Sequence, residues 1–302
     1  MYLVTFQHNG KLKFGFRTKD GASVVDAVQA EKKLFSQSIL PDNLQGIIEN
    51  PQALARLKEI SGRESEVGSN SILAISGIVI QAPIPQPKRD IICLGLNYRE
   101  HATEYTSAMQ EEQNLPKHPI VFTKATTTVI GPNQKIKSHR HVTNKIDYEA
   151  ELAIVIGKEG TNISKEEAYD YIFGYTIIND VSARDLQKQH GQWFMGKSLD
   201  TFAPMGPFLV TEDEIGRPVK LNVQCRVNGE LRQNSNTELL IFDIPTIIQT
   251  ISGGVTLKPG DIIATGTPKG VGLGFDPPKF LNEGDEVEIE IEKIGVLKNT
   301  LS

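Results

Sequence analysis

Three acids, a guanidinium and an amide stand close together in the segment 147–187. Glu149 and Glu151 are two residues apart in a run that continues Leu152-Ala153-Ile154-Val155-Ile156. A strand there turns both carboxylates to one face. Two like charges leading into an apolar run are costly to bury unless something positive neutralises them, and a hard divalent cation held by oxygen ligands meets that need. Asp180 follows the apolar Tyr175-Thr176-Ile177-Ile178, which places it at a strand's end. It precedes Ser182, which reads as the N-cap of a helix running through Ala183 to His190 and closed by Gly191. On that helix Arg184 and Gln187 are three apart, so they share a face near its start, aimed toward whatever Asp180 binds. The competing reading of Glu-x-Glu is the solvated face of an amphipathic sheet. The residues after Glu151 are apolar at successive positions, as in a strand covered on both sides, and that counts against it.

A second pair lies upstream. His101 and Glu104, in NYREHATE after the apolar strand Ile91–Leu96, face each other on one helical turn, where a carboxylate orients an imidazole and raises its basicity. That is a general-base geometry, although H-x-x-E by itself is common on surfaces. Residues 102–118 carry few apolar anchors and read as a lid that orders on binding. His8 reads as a turn residue, and His118, His139, His141 and His190 as surface or structural residues.

These groups need a scaffold, and the chain is long enough to supply one. It has 302 residues, 39% hydrophobic and 23% charged, with 32 Lys and Arg against 37 Asp and Glu and a net charge of −5. That composition is ordinary for a globular protein of two compact units. No dense basic run is present, which argues against nucleic-acid binding and for a small-molecule partner. No apolar run approaches the length needed to span a bilayer, and MYLVTFQHNGKLKFGF has no basic segment before an apolar core, so a cytoplasmic location is expected. Cys93 and Cys225 lie far apart in apolar surroundings and read as buried, reduced thiols.

Residues 1–82 read as a small α+β unit. Tyr2–Phe6 and Lys11–Phe16 flank His8-Asn9-Gly10, a hairpin signal. Helical spacing covers 25–35 and 51–60, the latter with Pro51 in its first turn, and 72–80 reads as a strand. Pro83, Pro85 and Pro87 make a stiff linker, which sets the boundary. Residues 88–302 alternate Ile-, Val- and Thr-rich strands with Gly, Pro and Asn turns. Helices are expected at 164–173, 182–190 and 245–252, a β-rich α/β pattern. No dinucleotide fingerprint is present, and GTPKGVG lacks the spacing of a phosphate-binding loop.

Six strings in one order, CLGLNYREHATE, PIVFTKATTTVIGP, DYEAELAIVIGK, GYTIINDVSARDLQ, MGKSLDTFAPMGPFLVT and LKPGDIIATGTPKGVG, resemble the fumarylacetoacetate hydrolase family over roughly residues 88–302. The resemblance implies a compact β-roll catalytic core behind the small N-terminal unit, and a homodimer. It implies that His101 and Glu104 activate water and that Lys197 of MGKSLDTF contacts substrate oxygen near the metal. Arg184, Gln187 and Thr267 would then bind substrate carboxylate and carbonyl groups, with Tyr98 lining the pocket.

Glu149, Glu151 and Asp180 offer only oxygen, which selects a hard ion: Mg2+, with Mn2+ or Ca2+ able to replace it. A 2-oxo acid or 1,3-dicarbonyl chelates such an ion, which then stabilises the enolate formed at the adjacent carbon. With water delivered by His101 the outcome is hydrolysis of an acylpyruvate. Without water the same chemistry serves an oxaloacetate-type decarboxylase or tautomerase, or a 2-hydroxyhepta-2,4-diene-1,7-dioate isomerase of aromatic compound catabolism. A non-catalytic binding protein on this fold would be expected to have lost one of the three acids, and all three are present.

Overall fold

The hairpin expected at the start of the chain opens the computed structural model, which describes residues 1–109 and 115–302. Strands β1 (Tyr2–His8) and β2 (Lys11–Arg17) pair antiparallel. Asn9 and Gly10 take φ of 51° and 73°, the left-handed conformation that a two-residue turn of matching twist requires. Helical spacing from Val25 is overridden by β3 (Ser23–Asp26), because the β-branched Val24 and Val25 pair with Arg17 and Phe16. α1 (Ala27–Leu34) starts only after Asp26, which accepts from the Gln29 N–H as its cap. α2 (Leu44–Glu49), capped by Asn43, was not anticipated, whereas α3 (Pro51–Gly62) begins on Pro51 as expected. The strand expected over 72–80 is split into β4 (Ile72–Ala74) on β3 and β5 (Val79–Ile80) on β1, because its two halves take different partners.

β6 (Ile91–Gly95) leads through Leu96, at φ 52°, into α4 (Arg99–Met109), and the chain returns as β7 (Ile120–Lys124) antiparallel to β6. The lid expected over 102–118 is helix up to Met109, and its part at 110–114 lies outside the described residues. Short strands β8 (Val129–Ile130), β9 (Lys135–Ile136) and β10 (Ile146–Asp147) precede β11 (Ala150–Ile156) and β12 (Ile172–Asn179). Every residue of β11 and β12 is buried, as continuous apolar runs imply for strands covered on both faces. The helix expected over 164–173 is only a short turn at Ala168–Tyr171, because Ser164 and Glu167 cap one another and Ile172 is already drawn into the sheet beside β11.

The helix expected from Ser182 starts two residues later. Ser182 and Ala183 form β13 (Ser182–Ala183) against β10, and the Ser182 hydroxyl donates to Asp180 O rather than capping. α5 (Arg184–Gln189) and α6 (Phe194–Lys197) follow, then β14 (Ala203–Thr211), α7 (Glu212–Ile215), β15 (Asn222–Val227) and β16 (Glu230–Asn236). α8 (Ile244–Ser252), capped by Asp243, matches expectation, and β17 (Ile262–Ala264), β18 (Glu286–Ile291) and β19 (Gly295–Leu301) complete the chain.

The main sheet runs β4-β3-β2-β1-β14-β12-β11-β17-β6-β7, and a second runs β16-β15-β18-β19-β9. The result is a mixed α/β, strand-rich fold. The expected units 1–82 and 88–302 share the larger sheet through the pairing of β1 with β14. β11 and β12 lie inside it between β17 and β14, and the acids at their ends are buried. Cys93 and Cys225 are buried and unbridged. Among the described residues no helix is long and apolar enough to cross a membrane.

Candidate active site

Register brings the three acids together. β11 and β12 are antiparallel with Ala150 opposite Asn179, so Glu149, just before β11, meets Asp180, just after β12. The Asp180 N–H donates to Glu149 O at 2.9 Å, and Asn179 Oδ1 accepts from the Glu149 N–H at 3.0 Å. One oxygen each from Glu149, Glu151 and Asp180 lies within 4.8 Å of the others, and all three residues are buried.

Cations surround two of the three. Lys197 Nζ donates to Glu149 Oε2 and to Asp180 Oδ2, each at 2.7 Å. Lys124 Nζ donates to Asp180 Oδ1 at 2.6 Å and to Val181 O at 3.0 Å. Arg184 Nη2 lies 2.7 Å from Glu149 Oε1, a charge contact outside hydrogen-bond alignment, while Arg184 Nε donates to Asp147 Oδ2 at 2.9 Å. Glu151 has no such partner among the described residues, and its Oε2 accepts only from the Gly266 N–H at 2.8 Å.

The two glutamates therefore titrate in opposite directions. Burial opposes ionisation of Glu149, but Lys197 and Arg184 outweigh it and hold the carboxyl well below the usual range. Burial, and then the charges of Asp180 and Glu149, push Glu151 well above it. Burial works against the charge on Lys197, yet Asp180 and Glu149 raise it, whereas for Lys124 burial prevails and lowers it. An all-oxygen set of buried carboxylates, one of them without a cationic partner, fits a hard divalent cation.

α4 delivers the second pair. His101 is 3% exposed, and its Nδ1 lies 3.3 Å from Glu104 Oε2, the geometry that the three-residue spacing predicts. His101 opens on the same cleft as Glu149, Glu151 and Lys197, which form its polar side. Its other side is apolar, formed by Leu94, Tyr105, Phe122 and Trp193.

The remaining expected residues are placed unequally. Gln187 lines the cleft with its Oε1 accepting from Arg184 Nη1 at 3.1 Å, which leaves its amide donors. Thr267 also lines the cleft, but its hydroxyl donates to Ala150 O and accepts from Gln233 Nε2, leaving one lone pair. Arg184 reaches the wall but is committed to Asp147 and Glu149. Tyr98 is buried and bridged to Leu240, close enough to Glu151 for that charge to add to burial in raising its phenol, and it is not on the cleft wall. Lys197 is the last residue of α6 and 2% exposed, because the turn through Phe194 points it at the acids. His118, His141 and His190 are exposed, and His139 packs on Phe202 away from the cleft.

Three participants were not singled out from sequence. Lys124 had a signal, a lone lysine in the Thr- and Val-rich VFTKATTT. Asp147 had another, one alternation step ahead of Glu149 in D-x-E-x-E. It accepts from Arg184, from Gly272 N–H at 2.6 Å and from Leu273 N–H at 2.9 Å, which ties the late loop to the acids. Trp193 had none.

With this geometry in view, residues 90–302 match the fumarylacetoacetate (FAA) hydrolase C-terminal family, and the chain belongs to that family. It is 50% identical over 287 residues to oxaloacetate tautomerase YisK of Bacillus subtilis (strain 168), covering 93% of this chain and 94% of the relative. The fumarylacetoacetate hydrolase from psychrophilic Exiguobacterium antarcticum shares the whole fold, with TM-score 0.80 and 38% identity over 100% of this chain and 99% of that one. Maleylpyruvate hydrolase from Sphingobium sp. SYK-6, solved with manganese (II) ion and pyruvate, superposes with TM-score 0.76 at 28% identity, covering 100% and 98%. The chain is an enzyme of this family.

Proposed function

We propose that the protein interconverts the keto and enol forms of oxaloacetate or a closely similar short 2-oxo dicarboxylic acid. The observation that carries this reading is a proton-moving dyad, His101 and Glu104 at 3.3 Å, whose imidazole lines the same cleft as Glu149, Glu151 and Lys197. The half-identical tautomerase supports it over hydrolysis. Acylpyruvate hydrolysis is the second reading, supported by the likeness to maleylpyruvate hydrolase.

Glu149, Glu151 and Asp180 would hold a divalent ion, Mg2+ or Mn2+, with Ca2+ as a substitute. When bound, that ion supplies Lewis acidity at the 2-oxo group. With Nδ1 turned to Glu104, His101 Nε2 is the nitrogen left to take a proton from the methylene carbon. The C–H electron pair becomes the C=C bond and the carbonyl π pair moves onto oxygen. Lys197 faces that oxygen as its proton donor, and solvent then carries the proton held by His101 back to Lys197, so nothing is consumed and no C–C bond breaks. Gln187 offers its amide N–H to the substrate carboxylate. Arg184 acts by keeping Glu149 ionised, and Thr267 accepts through its remaining lone pair.

Ultraviolet decay of enol oxaloacetate with purified protein and Mg2+ or Mn2+ tests this, with acetylpyruvate and fumarylpyruvate in parallel. Acceleration over buffer is expected with oxaloacetate, and none with either ion overturns the reading. We also propose a homodimer through the C-terminal part, sedimenting above the 33.3 kDa monomer, and a cytoplasmic location for residues 1–82 and 88–302 acting as two units of one chain.

A further inference from the structure

Trp193 stands between α5 and α6, and its indole lies against the last residue of β6. A Cβ placed on Gly95 would come within 2.3 Å of Trp193 Cζ3 and 2.7 Å of Cη2, so only glycine at 95 lets the ring lie on the strand's backbone. The ring is also held by aromatic neighbours. Phe122 meets it nearly edge-on at 5.2 Å between centroids, and Tyr105 at 6.0 Å. Both neighbours line the cleft with it.

The indole is coupled to the reactive end as well. The Lys197 N–H donates to Trp193 O at 3.0 Å, so one helical turn carries the apolar wall at its start and the ammonium at its end. That turn cannot slide freely, because a Cβ at Gly196 would fall 2.6 Å from Gln187 N. A fixed distance therefore separates the polar floor, where a 2-oxo acid group is held, from an aromatic wall.

We infer that Trp193 is the residue that sets the upper length of the substrate. This rests on the proposed 2-oxo acid site. A short acid fits between Lys197 and the indole, whereas a longer chain on the 2-oxo carbon requires the volume the indole fills. The wall is apolar, so removing it admits methylene groups and not charge.

Calorimetric titration of the Mg2+-loaded protein with pyruvate and with 2-oxooctanoate reads this without turnover. Wild type is expected to favour pyruvate. In Trp193→Ala the ratio of the two affinities should move toward the longer acid by about tenfold, the scale of burying one to two additional methylene groups. Trp193→Phe, which keeps a ring for Phe122 and Tyr105 to pack on, should move it by less. An unchanged ratio in both folded variants overturns the inference. Failure of wild type to bind pyruvate at all overturns instead the site reading beneath it.

Discussion

Glu104 is held by the backbone of Gly270 in the late loop. Both carboxylate oxygens accept from that N–H, at 3.0 and 3.2 Å, while Oε2 also lies 3.3 Å from His101 Nδ1. The late loop thus aims the carboxylate that aims the imidazole, and the same loop is anchored by Asp147 through Gly272 and Leu273.

If His101 moves the proton and Glu104 orients it, His101→Ala should lose on the order of 10²- to 10⁴-fold in rate. Cation affinity, measured by calorimetry, should be retained. Glu104→Gln should cost less and shift the pH–rate profile to lower pH, because the imidazole loses its anionic partner. Equal turnover of wild type and His101→Ala would make His101 a structural residue.

Gly274→Ala tests the same relationship without replacing His101 or Glu104. A Cβ there would sit 2.1 Å from Glu104 Cδ, and the flexible end of that side chain is what must move. The rate should fall toward that of Glu104→Gln, with the melting temperature nearly unchanged. An unaltered rate would show that the carboxylate's position is not critical.

Cation binding should raise the unfolding temperature, since a ligand at one hundred times its Kd adds about 2.7 kcal/mol to the folded state. EDTA should reverse the rise. Glu151→Gln should abolish both the rise and turnover while costing the metal-free protein little, because burial and the neighbouring charges already disfavour the ionised form of this carboxyl. A Glu151→Gln protein with wild-type cation response would remove Glu151 from the ligand set.

Lys124 and Asp180 form an ion pair from which water is excluded, both side chains being 0% exposed. Lys124→Met should destabilise the metal-free protein by less than the roughly 3–5 kcal/mol of an unpaired buried charge, because Lys197 still neutralises Asp180. Added cation should recover part of this by neutralising Asp180. Denaturant unfolding with and without Mg2+ measures both.

Asp185 pins α5 to the segment before β10. Its carboxylate accepts from the Thr143 hydroxyl at 2.6 Å, the Asn144 N–H at 3.1 Å and the Leu186 N–H at 2.9 Å. Partial burial raises its pKa, but these bonds outweigh burial and hold it below the ordinary 3.8. A depressed folded-state pKa stabilises above the unfolded value, and that contribution fades as pH falls through the folded one. Acid unfolding followed by circular dichroism should show Asp185→Asn less stable than wild type at about pH 6, with a shallower loss of stability below pH 3.8.

Local rules made part of this protein readable in its sequence. Period-two spacing put Glu149 and Glu151 on one side, three-residue spacing paired His101 with Glu104 and Arg184 with Gln187, and Asn9-Gly10 specified the first turn. Each depends on a repeat or dihedral preference acting within a few residues. What the tertiary structure alone decided depends on partners distant in sequence. Lys124 reaches Asp180 from another strand, so Asp180 has two cationic neighbours. Arg184, which looked free to meet substrate, is claimed by Asp147 because β10 pairs with β13. That pairing also took Ser182 from the start of the helix, since it lies opposite Asp147 in β10 instead of capping. Trp193 fits over Gly95 because β6 and the turn before α6 meet in space, and no spacing within either segment encodes that contact.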